Sequence, residues 1–287
     1  MLKSIRDFSE LGNILPTFVA AKFICLTGTS LFQVNMNTFV RLLHVGTEAT
    51  DNILIIQGGI FHNGKQSFYL KSVSYYFPET VRIFLFEKIN PLVDIYCAQD
   101  FVQTTEFIRQ NYSGRLVVIG YSMGGVLLSS YLAQKYRARH ADLFILCCNS
   151  FDFKEFREVI DTHSLFNWIQ KKDLRAFGVK TVEELMEKEC IDYQEQQDFM
   201  NNLIEHLNET SKYWHSKTLY IVAEKDPITC NFKKTLEAFQ QKPHTINVKG
   251  GWHCCSATVY SSFSLACSFL NLSNKKKKNV KISEIFS

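Results

Sequence analysis

The chain of 287 residues is 46% hydrophobic and 21% charged, the proportions of a folded globular protein, which excludes disorder over most of its length. Its formal charge of +4 is concentrated in residues 275–287, where five lysines stand with one glutamate. The remainder is neutral, which excludes a nucleic-acid surface spread over the fold, since such surfaces carry a clustered basic excess.

Nine cysteines (25, 97, 147, 148, 190, 230, 254, 255 and 267) occur without a CxxC pair. An odd number cannot all pair within one chain, so they read as reduced, mostly buried thiols of a cytoplasmic protein. No zinc-ligand spacing appears, and Cys147–Cys148 and Cys254–Cys255 read as small apolar fillers near strand ends.

At the start of the chain, Asp7 and Glu10 precede any apolar run, unlike a secretory signal. The apolar stretch from Ile14 to Leu26 contains Lys22 and falls short of the ~20 residues that cross a bilayer. Residues 15–47 are expected to add strands at one edge of a sheet. Runs of strand length then recur at 52–56 (NILII), 81–86 (VRIFLF), 115–120 (RLVVIG), 142–148 (DLFILCC), 218–223 (TLYIVA) and 244–248 (HTINV). Their hydrophobicity is continuous rather than alternating, which suits strands covered on both faces. Helical patterning fits 94–111, 124–137, 231–241 and 256–271.

Strand–helix alternation of this kind predicts an α/β fold with a mostly parallel central sheet flanked by helices. Between 151 and 216 the rhythm gives way to charged, amphipathic helical sequence such as EQQDFMNNLIEHLNE. The expected organisation is therefore 1–150 as the first part of the core, 151–216 as a helical cap or lid insertion, 217–272 as the rest of the core, and 273–287 as a lysine-rich tail. That tail, Lys275–Lys278 in particular, is a candidate for weak peripheral contact with anionic lipid; a solvated end is the alternative.

The stretch VVIGYSMGGVLL, residues 117–128, joins a strand to a helix through GxSxG. Such an elbow forces strained backbone angles on the serine and needs glycine where a Cβ would clash, here Gly120 and Gly124. Ser122 would then project from the carboxyl edge of the sheet, at a helix N-terminus that favours a developing oxyanion. A serine hydroxyl needs a base, and the base needs an orienting acid, expected in the chain order Ser, acid, His. Asp226, in AEKDPIT, is the preferred acid because Asp-Pro starts a turn beyond a strand. Glu224 and Asp152 are its rivals. His253, in VKGGWHCC, follows the last strand on a flexible Gly250–Gly251 backbone and is the preferred base. His244 should lie at the opposite end of that strand. The oxyanion would take the backbone N–H groups of Met123 and of Gly59, the latter in the QGGIFHNGK loop after an early strand.

Together these residues resemble the α/β-hydrolase superfamily, from about Asn52 to Leu270. GYSMGG, AEKDPIT and the GG-W-H ending are similar to its YheT-type branch of abhydrolase-domain lipases and esterases. That branch carries His-Gly in the oxyanion loop and GGH near the end, where this chain has Gln57-Gly58-Gly59 and an added Trp252. The resemblance implies a serine hydrolase of carboxylic esters, with Ser122 as nucleophile, His253 as general base and then acid, and Asp226 as the orienting carboxylate. It implies no metal or organic cofactor. The substrate would be a small-molecule or lipid ester; Phe151, Phe153, Phe156, Leu165, Phe166, Trp168 and Phe177 are candidates to line an acyl pocket or simply to pack the lid. Rival readings are a non-catalytic binding protein on a hydrolase scaffold and an acyltransferase or thioesterase.

Overall fold

The computed structural model describes residues 29–35, 38–43, 50–58, 80–88, 98–134, 140–149, 178–188, 193–227, 236–253 and 256–272, with short pieces between 158 and 175. Gly59, Asp152 and the lysine tail lie outside the described residues, as do all the proposed pocket residues and residues 231–235 of the predicted helix 231–241.

Eight strands form one sheet: β1 (Thr29–Asn35), β2 (Thr38–Leu43), β3 (Asp51–Gly58), β4 (Val81–Lys88), β5 (Leu116–Ser122), β6 (Leu143–Cys147), β7 (Thr218–Ala223) and β8 (His244–Val248). Their spatial order is β1-β2-β4-β3-β5-β6-β7-β8. β2 pairs antiparallel with both β1 and β4, and every pairing from β4 through β8 is parallel. Helices α1 (Ala98–Asn111), α2 (Met123–Leu132), α3 (Val182–Lys188), α4 (Tyr193–Trp214) and α5 (Ser256–Phe269), with a 3-10 turn at His215–Lys217, complete the described elements.

The uninterrupted apolar runs follow from this architecture, because each central strand has two buried faces. Leu54, Ile56, Leu116 and Val118 point into a core shared with α1, α2 and α4. Ile53, Ile55, Val117 and Ile119 point into a second core built on α5. At roughly 1.5–3 kcal/mol for each aliphatic side chain fully buried, the two cores hold the middle strands firmly. All seven residues of β5 are buried, so the segment that presents Ser122 is anchored along its whole length.

Within the segment expected as a lid, α4 is tied to the body of the fold. Leu203, Leu207 and Trp214 are fully buried in the same core as the sheet. The Thr210 hydroxyl donates to the carbonyl of Leu132 at 3.0 Å, fastening α4 to the end of α2, and the Trp214 indole donates to Leu207 O at 3.1 Å.

Candidate active site

β5 passes into α2 with no intervening residue, Ser122 ending the strand and Met123 opening the helix. A serine just before a helix usually turns its hydroxyl onto an N–H of the first turn. Ser122 makes no such cap. Its φ of 53° and ψ of −121° lie in a region that L-residues rarely visit, at a cost on the order of 1–3 kcal/mol. Glycine is required two residues before it: a Cβ on Gly120 would sit 2.6 Å from the carbonyl oxygen of Gly124. Gly125 faces a similar limit, 2.9 Å from Cβ of the buried Asn149.

Freed from capping, the Ser122 hydroxyl turns to His253, with Oγ 2.9 Å from Nε2. On the other side of the ring, Nδ1 lies 2.7 Å from Oδ2 of Asp226. An ionised carboxylate only accepts, so Nδ1–H donates to Asp226 and Nε2 is left to accept the serine proton. The His253 side chain is 7% exposed and that of Asp226 is fully buried; Ser122 is 9% exposed. The ring bridges a fully buried carboxylate and a serine that is itself nearly buried.

Two loops at the carboxyl edge bring the acid and the histidine together, and parallel pairing sets their relation. Ala223 at the end of β7 is in register with Val248 at the end of β8. Beyond that point the chains are laced: Glu224 N–H donates to Val248 O, Lys225 N–H to Gly251 O at 2.8 Å, and Gly251 N–H to Val248 O. Gly250, at φ +66°, donates its N–H to the Glu224 carboxylate at 2.7 Å. Glu224 therefore braces the histidine loop, while Asp226 is the carboxylate set against the ring. β3 ends at Gly58, in register with Ser122.

The sequence reading took Cys148 for a small apolar filler near a strand end. It follows β6 at φ 53°, is buried, and places its sulfur among the ligand atoms of Asp226 and His253, all within 4.8 Å of one another. This is the one such group of potential metal ligands among the described residues. The only sequence signal was its position at the end of a strand neighbouring β5. Cys147, one residue earlier, is also buried, and burial pushes its thiol well above the ordinary value.

No family model matches the chain, and neither does any curated protein sequence. Solved structures do. A hyperthermophilic esterase from the archaeon Pyrobaculum calidifontis aligns over 93% of this chain and 92% of that chain, with a TM-score of 0.54 at 12% identity. The chain has the α/β-hydrolase fold. EstE1, a thermostable carboxylesterase cloned from a metagenomic library, shares this α/β-hydrolase fold with a TM-score of 0.53 at 12% identity, over 92% and 96% of the two chains. A proline iminopeptidase from Mycobacterium smegmatis follows at 0.51 and 14%, over 85% and 97%. Likeness at this identity is one of fold and singles out no branch, the YheT-type included. No described helix of the chain is long and apolar enough to cross a membrane.

Proposed function

We propose that the protein is a serine hydrolase that cleaves carboxylic esters through an acyl-enzyme intermediate. The observation that carries this reading is the hydrogen-bonded chain from Ser122 Oγ through His253 to Asp226, at 2.9 and 2.7 Å, mounted on a strained strand-to-helix elbow. Esterases among the structural neighbours support it at the level of fold.

In this mechanism Ser122 Oγ attacks the ester carbonyl as its proton passes to His253 Nε2. Asp226 stays ionised, fixes the tautomer and stabilises the imidazolium. The oxyanion of the tetrahedral intermediate accepts the N–H of Met123, one of the first-turn donors that α2 leaves unpaired, and that of Gly59, which follows β3 in the sequence. One such donor is worth ~100- to 1,000-fold in rate. Collapse breaks the bond to the leaving alcohol, which takes the proton from His253. Water then loses a proton to the same nitrogen, attacks the acyl group, and releases the acid and Ser122.

Small or lipid acyl esters are the proposed substrates, with the part of residues 151–216 that precedes α4 as the cap that shapes the acyl site. Fluorophosphonate labelling of wild type beside Ser122→Ala and His253→Ala tests the reading, together with hydrolysis of p-nitrophenyl esters of increasing chain length. Labelling is expected in wild type alone, with turnover falling by at least ~10,000-fold in Ser122→Ala. A folded wild type that neither labels nor hydrolyses any ester of the series would place the protein with binding proteins on this scaffold; labelling without hydrolysis would turn attention to acyl transfer.

A further inference from the structure

The edge of the sheet that carries Ser122 also carries a sulfur donor that ester hydrolysis leaves unused, set beside two groups that it uses. Cys148 Sγ, a carboxylate oxygen of Asp226 and a ring nitrogen of His253 lie within 4.8 Å of one another. We propose that these three side chains form a binding site for a thiophilic divalent cation, zinc above all, and that filling this site switches off the Asp226–His253 pair it borrows.

The donor set argues for the class of metal. One sulfur, one imidazole nitrogen and one carboxylate oxygen suit a borderline-soft ion such as zinc, whereas magnesium and calcium prefer oxygen throughout. Zinc bonds of about 2.0–2.3 Å to N, O and S set the donors of a tetrahedral site roughly 3.3–3.6 Å apart. The present cluster reaches at most 4.8 Å and closes to 2.7 Å between His253 Nδ1 and Asp226 Oδ2, so binding would draw the sulfur in by about an ångström and part the other two donors by about half of one. Those two donors stand on the laced loops after β7 and β8. A fourth position is left for water.

Geometry also makes metal and catalysis exclusive. The 2.7 Å contact between His253 Nδ1 and Asp226 Oδ2 has room for a proton and none for a cation. Coordination through Nδ1 expels that proton, and the thiol proton leaves as well, both to solvent. The carboxylate then holds the metal instead of orienting the ring toward Ser122. Cys148 itself touches neither the serine proton nor the proposed oxyanion donors in the mechanism above, so its loss should leave hydrolysis in place.

Binding stands by itself; the switch rests on the serine-hydrolase reading. The full-length reduced protein is titrated with Co²⁺, whose thiolate charge-transfer absorption reports a sulfur ligand, and then with Zn²⁺ as competitor. One equivalent of cobalt is expected to give the band, zinc to remove it, and Cys148→Ser, Cys148→Ala and His253→Asn each to weaken cobalt binding about tenfold or more. In parallel, Zn²⁺ should stop p-nitrophenyl acetate hydrolysis and fluorophosphonate labelling of the wild type, EDTA should restore both, and Mg²⁺ should do nothing. Cys148→Ser should hydrolyse the ester and need about tenfold more zinc or higher to be inhibited. No band on folded wild type overturns the site, as does a band unchanged in all three variants, which would place cobalt on the other eight cysteines. Should the Cys148 variants fail to fold, His253→Asn decides. Zinc that binds yet leaves labelling intact overturns the switch; a cobalt band on a protein that neither hydrolyses esters nor labels at any metal concentration leaves the site standing and removes the serine-hydrolase reading instead.

Discussion

At Ser122 the backbone holds a conformation that glycine adopts freely and serine adopts at a cost on the order of 1–3 kcal/mol. The hydroxyl is what that strain positions, so stability and the proposed activity pull apart at this residue. Ser122→Gly should raise the unfolding free energy by about 1 kcal/mol, Ser122→Ala should leave it near wild type, and neither should hydrolyse esters; thermal denaturation beside an esterase assay reads both. The two acidic residues after β7 separate by the same kind of argument. Asp226→Asn removes the acceptor that fixes the His253 tautomer and should lower kcat by about 1,000- to 10,000-fold with little change in stability. Glu224→Ala removes only the acceptor of the Gly250 N–H, so about 1 kcal/mol of stability and a modest part of kcat are expected to go. If Glu224→Ala proved the more damaging to kcat, the assignment of the acid would be reversed. Sequence order nominated Asp226 and His253, but the job of Glu224 was hidden in it, because residues 224 and 250 become neighbours only once Ala223 pairs with Val248.

Among the elements, the end of the sheet remote from Ser122 is held by Arg115. Its guanidinium donates to Asp51 Oδ2 at 2.8 Å and to the carbonyls of Phe269 and Leu270 at 2.9 and 2.7 Å. Its backbone N–H also donates to Asp51 Oδ1 at 2.9 Å. One side chain thus joins the starts of β3 and β5 to the end of α5, whose last carbonyls have no partner within the helix. Burial alone would raise the Asp51 carboxyl, but the bonds from Arg115 outweigh it and hold the group below its ordinary range. A lowered folded value means that this carboxylate stabilises the fold fully above the unfolded value of about 3.9 and stops doing so as the pH falls through the folded value. Arg115→Met should therefore cost about 1–2 kcal/mol at pH 7, a figure kept low because the arginine is 39% exposed. The gap between wild type and variant should stay constant down to about pH 5 and close below about pH 4. Urea denaturation at several pH values measures it; a gap that widened in acid would refute the sign. Esterase activity should be unaffected, since the clamp sits at the opposite end of the strands from the site.

For the molecule as a whole, what was legible follows burial. Strands covered on both faces wrote themselves as apolar runs, and β3 to β7 lie where those runs are; β8 also lies where it was expected, as a half-buried edge strand, whereas β2 was placed only within 15–47, its run TFVRLL being broken by Arg41, a charge that the fold nevertheless buries to 1% exposure. The helix after the elbow begins at Met123 and ends at Leu132, shorter than the predicted 124–137, since propensity cannot see where packing against α4 ends. Charge is the other molecule-wide property. With residues 275–287 removed the chain is neutral, so the lysines supply its whole excess. Each lysine near an anionic membrane is worth ~1 kcal/mol, and Lys275–Lys278 together about 4, a millimolar affinity on their own. Full-length protein should sediment weakly with phosphatidylserine vesicles at low salt and be released as ionic strength shortens the screening length. Deleting residues 274–287 should abolish that association, leave ester hydrolysis intact, and lower solubility near neutral pH, where a chain without net charge has the least repulsion between copies. Salt-resistant sedimentation of the truncated protein would instead locate membrane contact on an apolar surface, for which Trp252, half-exposed beside His253, is the first residue to change.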